Sequence, residues 1–107
     1  MACRVVILPK AQMRLERYIA YTKEVLKNPT AARNIAKDAR NTKKRLASMA
    51  HTLALCQDEE LASLGYRTIH FAKYDFFMVY RIEGDVVYVD SMFHDLQDYE
   101  STLLRDV

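Results

Sequence analysis

The sequence is poor in the residues that form loops, cofactor sites and paired metal ligands. Only two glycines and two prolines occur among 107 residues, so long flexible loops are not expected and a glycine-rich phosphate loop is excluded. The two cysteines, Cys3 and Cys56, stand outside any paired motif, and the three histidines are far apart along the chain. No serine lies in a nucleophile-elbow pattern. These absences argue against most metabolic enzymes, and neither a cofactor nor a metal is expected.

Long apolar segments are also missing. The longest apolar run, residues 76–80, is far too short to span a bilayer, and the first residues lack the apolar stretch of a signal peptide. Two unpaired cysteines are typical of a reducing compartment. With 50% hydrophobic and 28% charged residues, the composition is that of an ordinary globular protein. We therefore expect residues 1–107 to form one cytoplasmic domain without a membrane contact.

The first half of the chain has the pattern of a strand followed by two helices. Residues 4–8 are rich in β-branched side chains and predict a buried first strand that ends at Pro9. From Ala11 to Leu26 the apolar residues recur at helical spacing. Asn28 followed by Pro29 then gives a stop and the N-cap of a new helix. The two helices should form an antiparallel hairpin with a short loop.

The second helix, expected over Pro29–Met49, is strongly basic. It holds six Lys and Arg residues and a single carboxylate, Asp38. Its apolar stripe predicts a buried face, and four of the cations repeat at helical spacing on the opposite side: Arg33, Lys37, Arg40 and Lys44. These four are candidates for contact with an acidic partner or with nucleic acid.

The second half changes to a period of two. Residues 66–71, 75–82 and 86–92 are rich in aromatic and β-branched side chains and predict three strands. Gly84 lies in the short link between the last two, which is a hairpin signal. The strands should form an antiparallel meander, with a short closing helix near residues 98–104. The predicted class is α+β: an N-terminal strand and a helix hairpin packed on one face of a small antiparallel sheet.

The middle strand of this meander is apolar on both faces. Phe76, Met78 and Tyr80 alternate with Phe77 and Val79, and a strand of this kind is expected to be covered on both sides. The helix hairpin covers one side, and little of the chain beyond its tail is left for the other. We therefore expect a partner to cover it, with Phe76, Met78 and Tyr80 as contact candidates.

Four segments in this order resemble the ParE/RelE family of bacterial toxins from type II toxin–antitoxin modules. They are residues 28–32 (NPTAA), 64–67 (LGYR), 80–87 (YRIEGDVV) and 93–99 (FHDLQDY). The resemblance covers about residues 4–104. It implies the same helix hairpin on a small antiparallel sheet. It also implies a co-encoded antitoxin whose tail wraps the toxin and adds a helix in a groove or a strand at an edge. A homodimer and a toxin–antitoxin hetero-oligomer both stay open.

The resemblance leaves two kinds of target, DNA gyrase for ParE-like members and messenger RNA at the ribosome for RelE-like members. RelE-like toxins carry cations on the sheet. Here Arg67 matches a position that is often basic, whereas a position that is often Arg is Phe77. After the last strand, their basic cluster is replaced by residues 94–98 (HDLQD), whose carboxylates would repel a phosphate. A His with an Asp four residues later, His94 and Asp98, is similar to the ParE-like branch.

Three hypotheses follow from the sequence. The first is a ParE-like toxin that inhibits gyrase and is neutralised by its antitoxin. The second is a RelE-like, metal-independent messenger-RNA endonuclease, for which Arg67 and Arg81 would hold phosphate and His94 and Tyr99 would act as acid or base. The third is a non-toxic protein-interaction domain of the same fold.

Overall fold

The structure, a computed structural model, describes residues 3–95. Within them, the strands and the two long helices follow one another in the order that the sequence pattern predicts. The first strand is followed by a helix hairpin, a short helix and a three-strand meander. The bounds are β1 Arg4–Ile7, α1 Pro9–Glu24, α2 Pro29–Met49, α3 Glu59–Ser63, β2 Arg67–His70, β3 Phe76–Glu83 and β4 Val86–His94. The closing helix predicted near residues 98–104, together with Tyr99 and Asp98, lies outside the described residues.

The starts of the helices follow the local chemistry of the chain. Pro9 and Pro29 occupy first-turn positions, where the missing N–H of proline costs nothing. The Asn28 side chain accepts a hydrogen bond from the Ala31 N–H at 3.0 Å, which confirms the predicted N-cap of α2. Asp58 caps α3 in the same way at the Leu61 N–H. The sequence had indicated only an irregular segment there, because five helical residues are too few to show a period.

The strands form one sheet in the order β1-β4-β3-β2. β2, β3 and β4 pair antiparallel, which confirms the predicted meander, and Gly84 adopts the left-handed backbone (φ 63°) that its turn requires. β1 pairs parallel to β4, so the sheet is mixed rather than purely antiparallel. The α+β class with a helix hairpin on the sheet is confirmed.

The main core lies between the hairpin and one face of the sheet. Ile35, Ala39 and Leu46 of α2 pack with Met78 and Tyr80 of β3, and all five are at most 3% exposed. Burying a large apolar side chain contributes about 1.5–3 kcal/mol, so this layer carries much of the stability. Within residues 3–95, no helix is both long and apolar enough to cross a membrane.

The opposite face of the sheet is covered by the chain itself. Phe77, Val79 and Phe93 are at most 4% exposed and form a second cluster with Cys56, Leu61 and Tyr66. Leu61 comes from α3, the helix that sequence periodicity had missed. The expectation that a partner must cover this face was therefore wrong, because a five-residue helix and its flanking segment already do so.

Candidate functional site

The two sheet arginines predicted to bind phosphate are both engaged by the chain. Arg67 opens β2 opposite Tyr80, and its guanidinium donates to the Leu53 carbonyl in the segment after α2. Arg81, on β3, lies beside two carboxylates: its Nε donates to Asp90 Oδ2 at 3.3 Å and its Nη1 to Glu83 Oε1. Because two carboxylates already pair with the Arg81 guanidinium, we expect it to attract a phosphate only weakly.

The surroundings of Arg81 form a partly exposed polar cluster at the Gly84 end of β3. The Arg81 guanidinium also stacks on the Tyr88 ring, 4.8 Å from its centroid. Burial, together with the neighbouring Asp90 carboxylate, raises the pKa of Tyr66 to about 12. This cluster, formed by Tyr66, Arg81, Glu83, Tyr88 and Asp90, is called the Arg81 cluster below. Its single cation is paired with two carboxylates of the same chain, which is the behaviour of a structural site.

His94 lies at the other end of the sheet. It ends β4 opposite Phe76, and its ring meets the Phe76 ring edge-on at 5.2 Å. Arg81 is five residues further along β3, roughly 17 Å away at the rise of an extended strand. It also points to the opposite face, because β3 alternates regularly from Phe76 to Arg81. The described ribonuclease candidates are therefore not brought together, and Tyr99 lies outside the described residues.

An open groove of about 760 Å³ occupies the His94 end of the sheet. Its walls come from the second half of α1, the start of α2, the β2–β3 turn and the end of β4. Most of its lining side chains are aromatic or aliphatic. Those used below are Arg17, Tyr18, Tyr21, Leu26, Ile35, Tyr74, Phe76 and His94. We call this feature the α1 groove.

Aromatic rings in tilted contact form the floor of the α1 groove. The Tyr18 ring centroid lies 4.9 Å from that of Phe76, and the Phe71 ring centroid lies 5.7 Å from that of Phe76. At the rim, Tyr21 is 54% and Leu26 is 57% exposed, although both are large apolar side chains. Exposed apolar surface beside a concave aromatic floor is typical of a binding site for an apolar segment.

Asp38 holds the β2–β3 turn that forms one wall of the groove. It is 3% exposed, and its carboxylate accepts hydrogen bonds from the backbone N–H groups of Ala72 (3.3 Å), Lys73 (2.9 Å) and Tyr74 (3.0 Å). Three donors compensate the burial of this charge. Sequence reasoning recorded Asp38 only as the single acid of α2; its position between Ile35 and Ala39, on the buried stripe, was the available signal.

The three contact candidates on β3 differ in their burial and in what they contact. Phe76 lines the α1 groove. Met78 and Tyr80 are 0% exposed in the main core, and the Tyr80 hydroxyl donates to the Ala50 carbonyl at 2.8 Å. They are therefore not available to a partner in this fold, because α2 already covers them. Burial also raises the pKa of Tyr80 to about 12.

Helical periodicity did not identify the groove residues of α1. The apolar stripe of this helix continues to Val25 and Leu26, but α1 ends at Glu24 and these last two residues are 61% and 57% exposed. Tyr21 lies off the stripe and was missed. Periodicity could not separate a buried stripe from one that continues onto an open surface.

The basic stripe of α2 is solvent-exposed, as predicted: Arg33, Lys37, Arg40 and Lys44 all lie on the outer face. Asp38 faces inward, so α2 presents five exposed cations and no exposed carboxylate. Six cations against one carboxylate give α2 a net charge of +5, whereas ten cations and thirteen carboxylates give the rest of the chain −3. The charge of this protein is thus concentrated on one helix.

Residues 5–99 match the family model described as the ParE toxin of the type II toxin–antitoxin system parDE. Among solved structures, the chain is similar to the chromosomal ParDE toxin–antitoxin system from P. aeruginosa, with 20% sequence identity and a TM-score of 0.72. That alignment covers 87% of this chain and 96% of the other. At this identity the structural similarity shows the fold alone. No curated protein matches the chain.

Proposed function

Because the chain belongs to the ParE family of toxins from type II toxin–antitoxin systems, we propose that it acts in the cytoplasm by inhibiting DNA gyrase through protein contacts. The proposal extends to neutralisation by a co-encoded antitoxin that occupies the α1 groove. The observation that carries the choice of target is the separation of the ribonuclease candidates. Arg81 is held by two carboxylates, on the face of the sheet opposite to His94 and roughly 17 Å from it along β3.

That separation matters because of what metal-free RNA cleavage requires. A base must take the 2′-hydroxyl proton, an acid must protonate the leaving oxygen, and cations must stabilise the phosphate, all within hydrogen-bond reach of one another. Arg67 donates to the Leu53 carbonyl and Arg81 to carboxylates. Neither guanidinium is directed at the end of the sheet where His94 lies. An inhibitor that acts by protein contacts needs no such group.

The α1 groove supports the second half of the proposal. Antitoxin tails that place an apolar helix face in a groove need a concave, apolar surface with exposed anchors at its rim. Tyr18 and Phe76 provide the floor, and Tyr21 and Leu26 provide the rim. Arg17 adds a cation to the lining, which suits a partner with a carboxylate beside its apolar residues.

Induction of the chain alone in a bacterial host, followed by pulse labelling of DNA and protein synthesis, tests the target. We expect DNA synthesis to fall first while translation continues, and purified chain to inhibit DNA supercoiling by purified gyrase. Early loss of translation, abolished by His94→Ala or Tyr99→Ala, would instead establish the RelE-like ribonuclease. Normal growth at a high level of folded protein would establish the non-toxic interaction domain.

A further inference from the structure

A second concave site, of about 380 Å³, lies between α2 and the β2–β3 turn. Aromatic and aliphatic side chains line most of the α1 groove, whereas polar and charged side chains line most of this site. Its volume is near the lower end of the roughly 300–1,000 Å³ that is usual for small-molecule pockets, so a ligand would be small. We call this feature the Lys37 pocket; its walls are Asn34, Lys37, Asp38, Asn41, Lys73 and Tyr74.

The buried Asp38 carboxylate brings the two lysines of the pocket to the same cavity. Asn34, Lys37 and Asn41 stand at positions i, i+3 and i+7, so they share one face of α2. The Lys73 N–H donates to Asp38 Oδ2 at 2.9 Å, which fixes the turn beside that face. Within residues 3–95, neither Lys37 nor Lys73 has a carboxylate at salt-bridge distance. Two ammonium groups without an ion-pair partner around one cavity favour an anionic ligand.

Asp38 also provides the pocket with a hydrogen-bond acceptor. Its side chain lines the cavity although it is only 3% exposed. A carboxylate has about four lone-pair sites, two on each oxygen. Oδ2 accepts from the N–H groups of Lys73 and Tyr74, whereas Oδ1 accepts only from the N–H of Ala72. One site on Oδ1 is therefore left for a donor on the ligand, and the three N–H groups reduce the repulsion between Asp38 and an anion.

The Tyr74 ring forms an aromatic wall at one end of the pocket. Tyr74 also lines the α1 groove with Ala31 and Ile35, so it lies toward the Asn34 end of the pocket and away from Asn41. A tyrosine ring can stack on a nucleobase, because every base has a π-face. An Asn side chain can pair with both N6 and N7 of adenine. The Asn34 end is therefore suited to a base, and the lysines are suited to a phosphate.

We propose that the Lys37 pocket binds a nucleoside monophosphate. The phosphate lies between the ammonium groups of Lys37 and Lys73, where charge-assisted hydrogen bonds hold it. A ribose hydroxyl donates to Asp38 Oδ1. The base stacks on the Tyr74 ring and presents its edge to the Asn34 amide. This site depends neither on gyrase as the target nor on the antitoxin.

Titration calorimetry of the purified chain with adenosine monophosphate tests the proposal, with adenosine and inorganic phosphate as partial ligands. We expect the nucleotide to bind at least about tenfold more tightly than either partial ligand, because each of them fills only one end of the pocket. Lys37→Gln/Lys73→Gln should weaken nucleotide binding at least about tenfold. Both lysines are exposed, so we expect this variant to fold. The matched control is Lys23→Gln/Lys43→Gln, which removes two exposed cations outside the pocket and should bind as the wild type does.

A second variant tests the base end of the pocket. We expect Asn34→Leu to weaken binding of the nucleotide and to leave binding of inorganic phosphate unchanged. In NMR spectra of the wild type, the side-chain amide signal of Asn34 should shift with the nucleotide and not with inorganic phosphate.

Absence of binding at millimolar nucleotide would overturn the proposal, and so would unchanged binding in folded Lys37→Gln/Lys73→Gln. Inorganic phosphate that binds as tightly as the nucleotide would reduce the pocket to a simple anion site. Equal weakening in Lys23→Gln/Lys43→Gln would mean that anions are attracted by the overall charge of the chain and not by this pocket.

Discussion

The two ends of β3 gather different kinds of residue: charged side chains paired within the chain at one end, and aromatic and aliphatic side chains around an open groove at the other. At the Gly84 end, the Arg81 cluster joins a cation, two carboxylates and two tyrosines, and the cation is paired within the chain. At the Phe76 end, tilted aromatic rings line the α1 groove, and Tyr21 and Leu26 at its rim are more than half exposed. Polar and charged residues on a sheet are therefore weak evidence of a site. An apolar surface that the fold leaves exposed is stronger evidence of a functional site.

The largest expected effect comes from removing the carboxylate that fixes the groove wall. Asp38→Ala leaves three backbone N–H groups of the β2–β3 turn without their acceptor, so we expect the free energy of unfolding to fall by about 3 kcal/mol. Denaturant unfolding measures it, with Asp85→Ala in the exposed β3–β4 turn as the control. Equal stability of the two variants would mean that Asp38 does not hold this wall.

Alkaline pH should act mainly at the Gly84 end of β3 and in the core. The pKa values of Tyr66 and Tyr80 are raised to about 12 in the folded chain, above the usual value of 10.0. Their stabilising contribution is therefore complete below pH 10 and is lost as the pH rises through 12. We expect the unfolding free energy to fall by about 5 kcal/mol over that range, and by about half as much in Tyr66→Phe. The control is Tyr21→Phe, at an exposed tyrosine, which should lose as much unfolding free energy with rising pH as the wild type. A smaller loss, equal to that of Tyr66→Phe, would contradict the assignment to Tyr66.

The open end should show its effect in partner binding rather than in stability. We expect Tyr21→Ala and Leu26→Ala each to weaken antitoxin binding at least about tenfold, because both side chains line the α1 groove. Val25→Ala is the matched control, since Val25 is 61% exposed between them but does not line the groove. Titration calorimetry with the co-encoded antitoxin measures the difference. If Val25→Ala weakens binding as much as the other two, the groove is not the contact.

The smallest effect is expected for Arg81. Arg81→Ala leaves Asp90, whose side chain is 12% exposed, without its cation, and should lower the unfolding free energy by about 1 kcal/mol. Growth arrest should persist at an equal level of folded protein, with Lys23→Ala as the exposed-cation control. If Arg81→Ala folds normally but no longer arrests growth, Arg81 has a functional role. The Gly84 end of β3 would then not be purely structural.

The sequence by itself determined the local elements and the family. Asn28–Pro29 placed the start of α2, the period-two segments placed the meander, and the order of four short segments pointed to the ParE/RelE toxins, because capping, turn and pleat preferences act between residues close along the chain. It also predicted the exposed basic stripe of α2. That residues 1–107 form a single domain stays a prediction.

Tertiary structure decided which of those side chains are available. Phe76, Met78 and Tyr80 have the same alternation in sequence, yet only Phe76 borders a groove, because α2 extends over the other two. The distance between Arg81 and His94 could not be predicted from the sequence, because it depends on the pairing register of the strands and on the face of the sheet to which each side chain points. Leu61 of α3 covers the second face of the sheet from a segment with no readable period. The burial of a side chain depends on segments far away in the sequence that pack against it. A local sequence pattern contains no information about those segments.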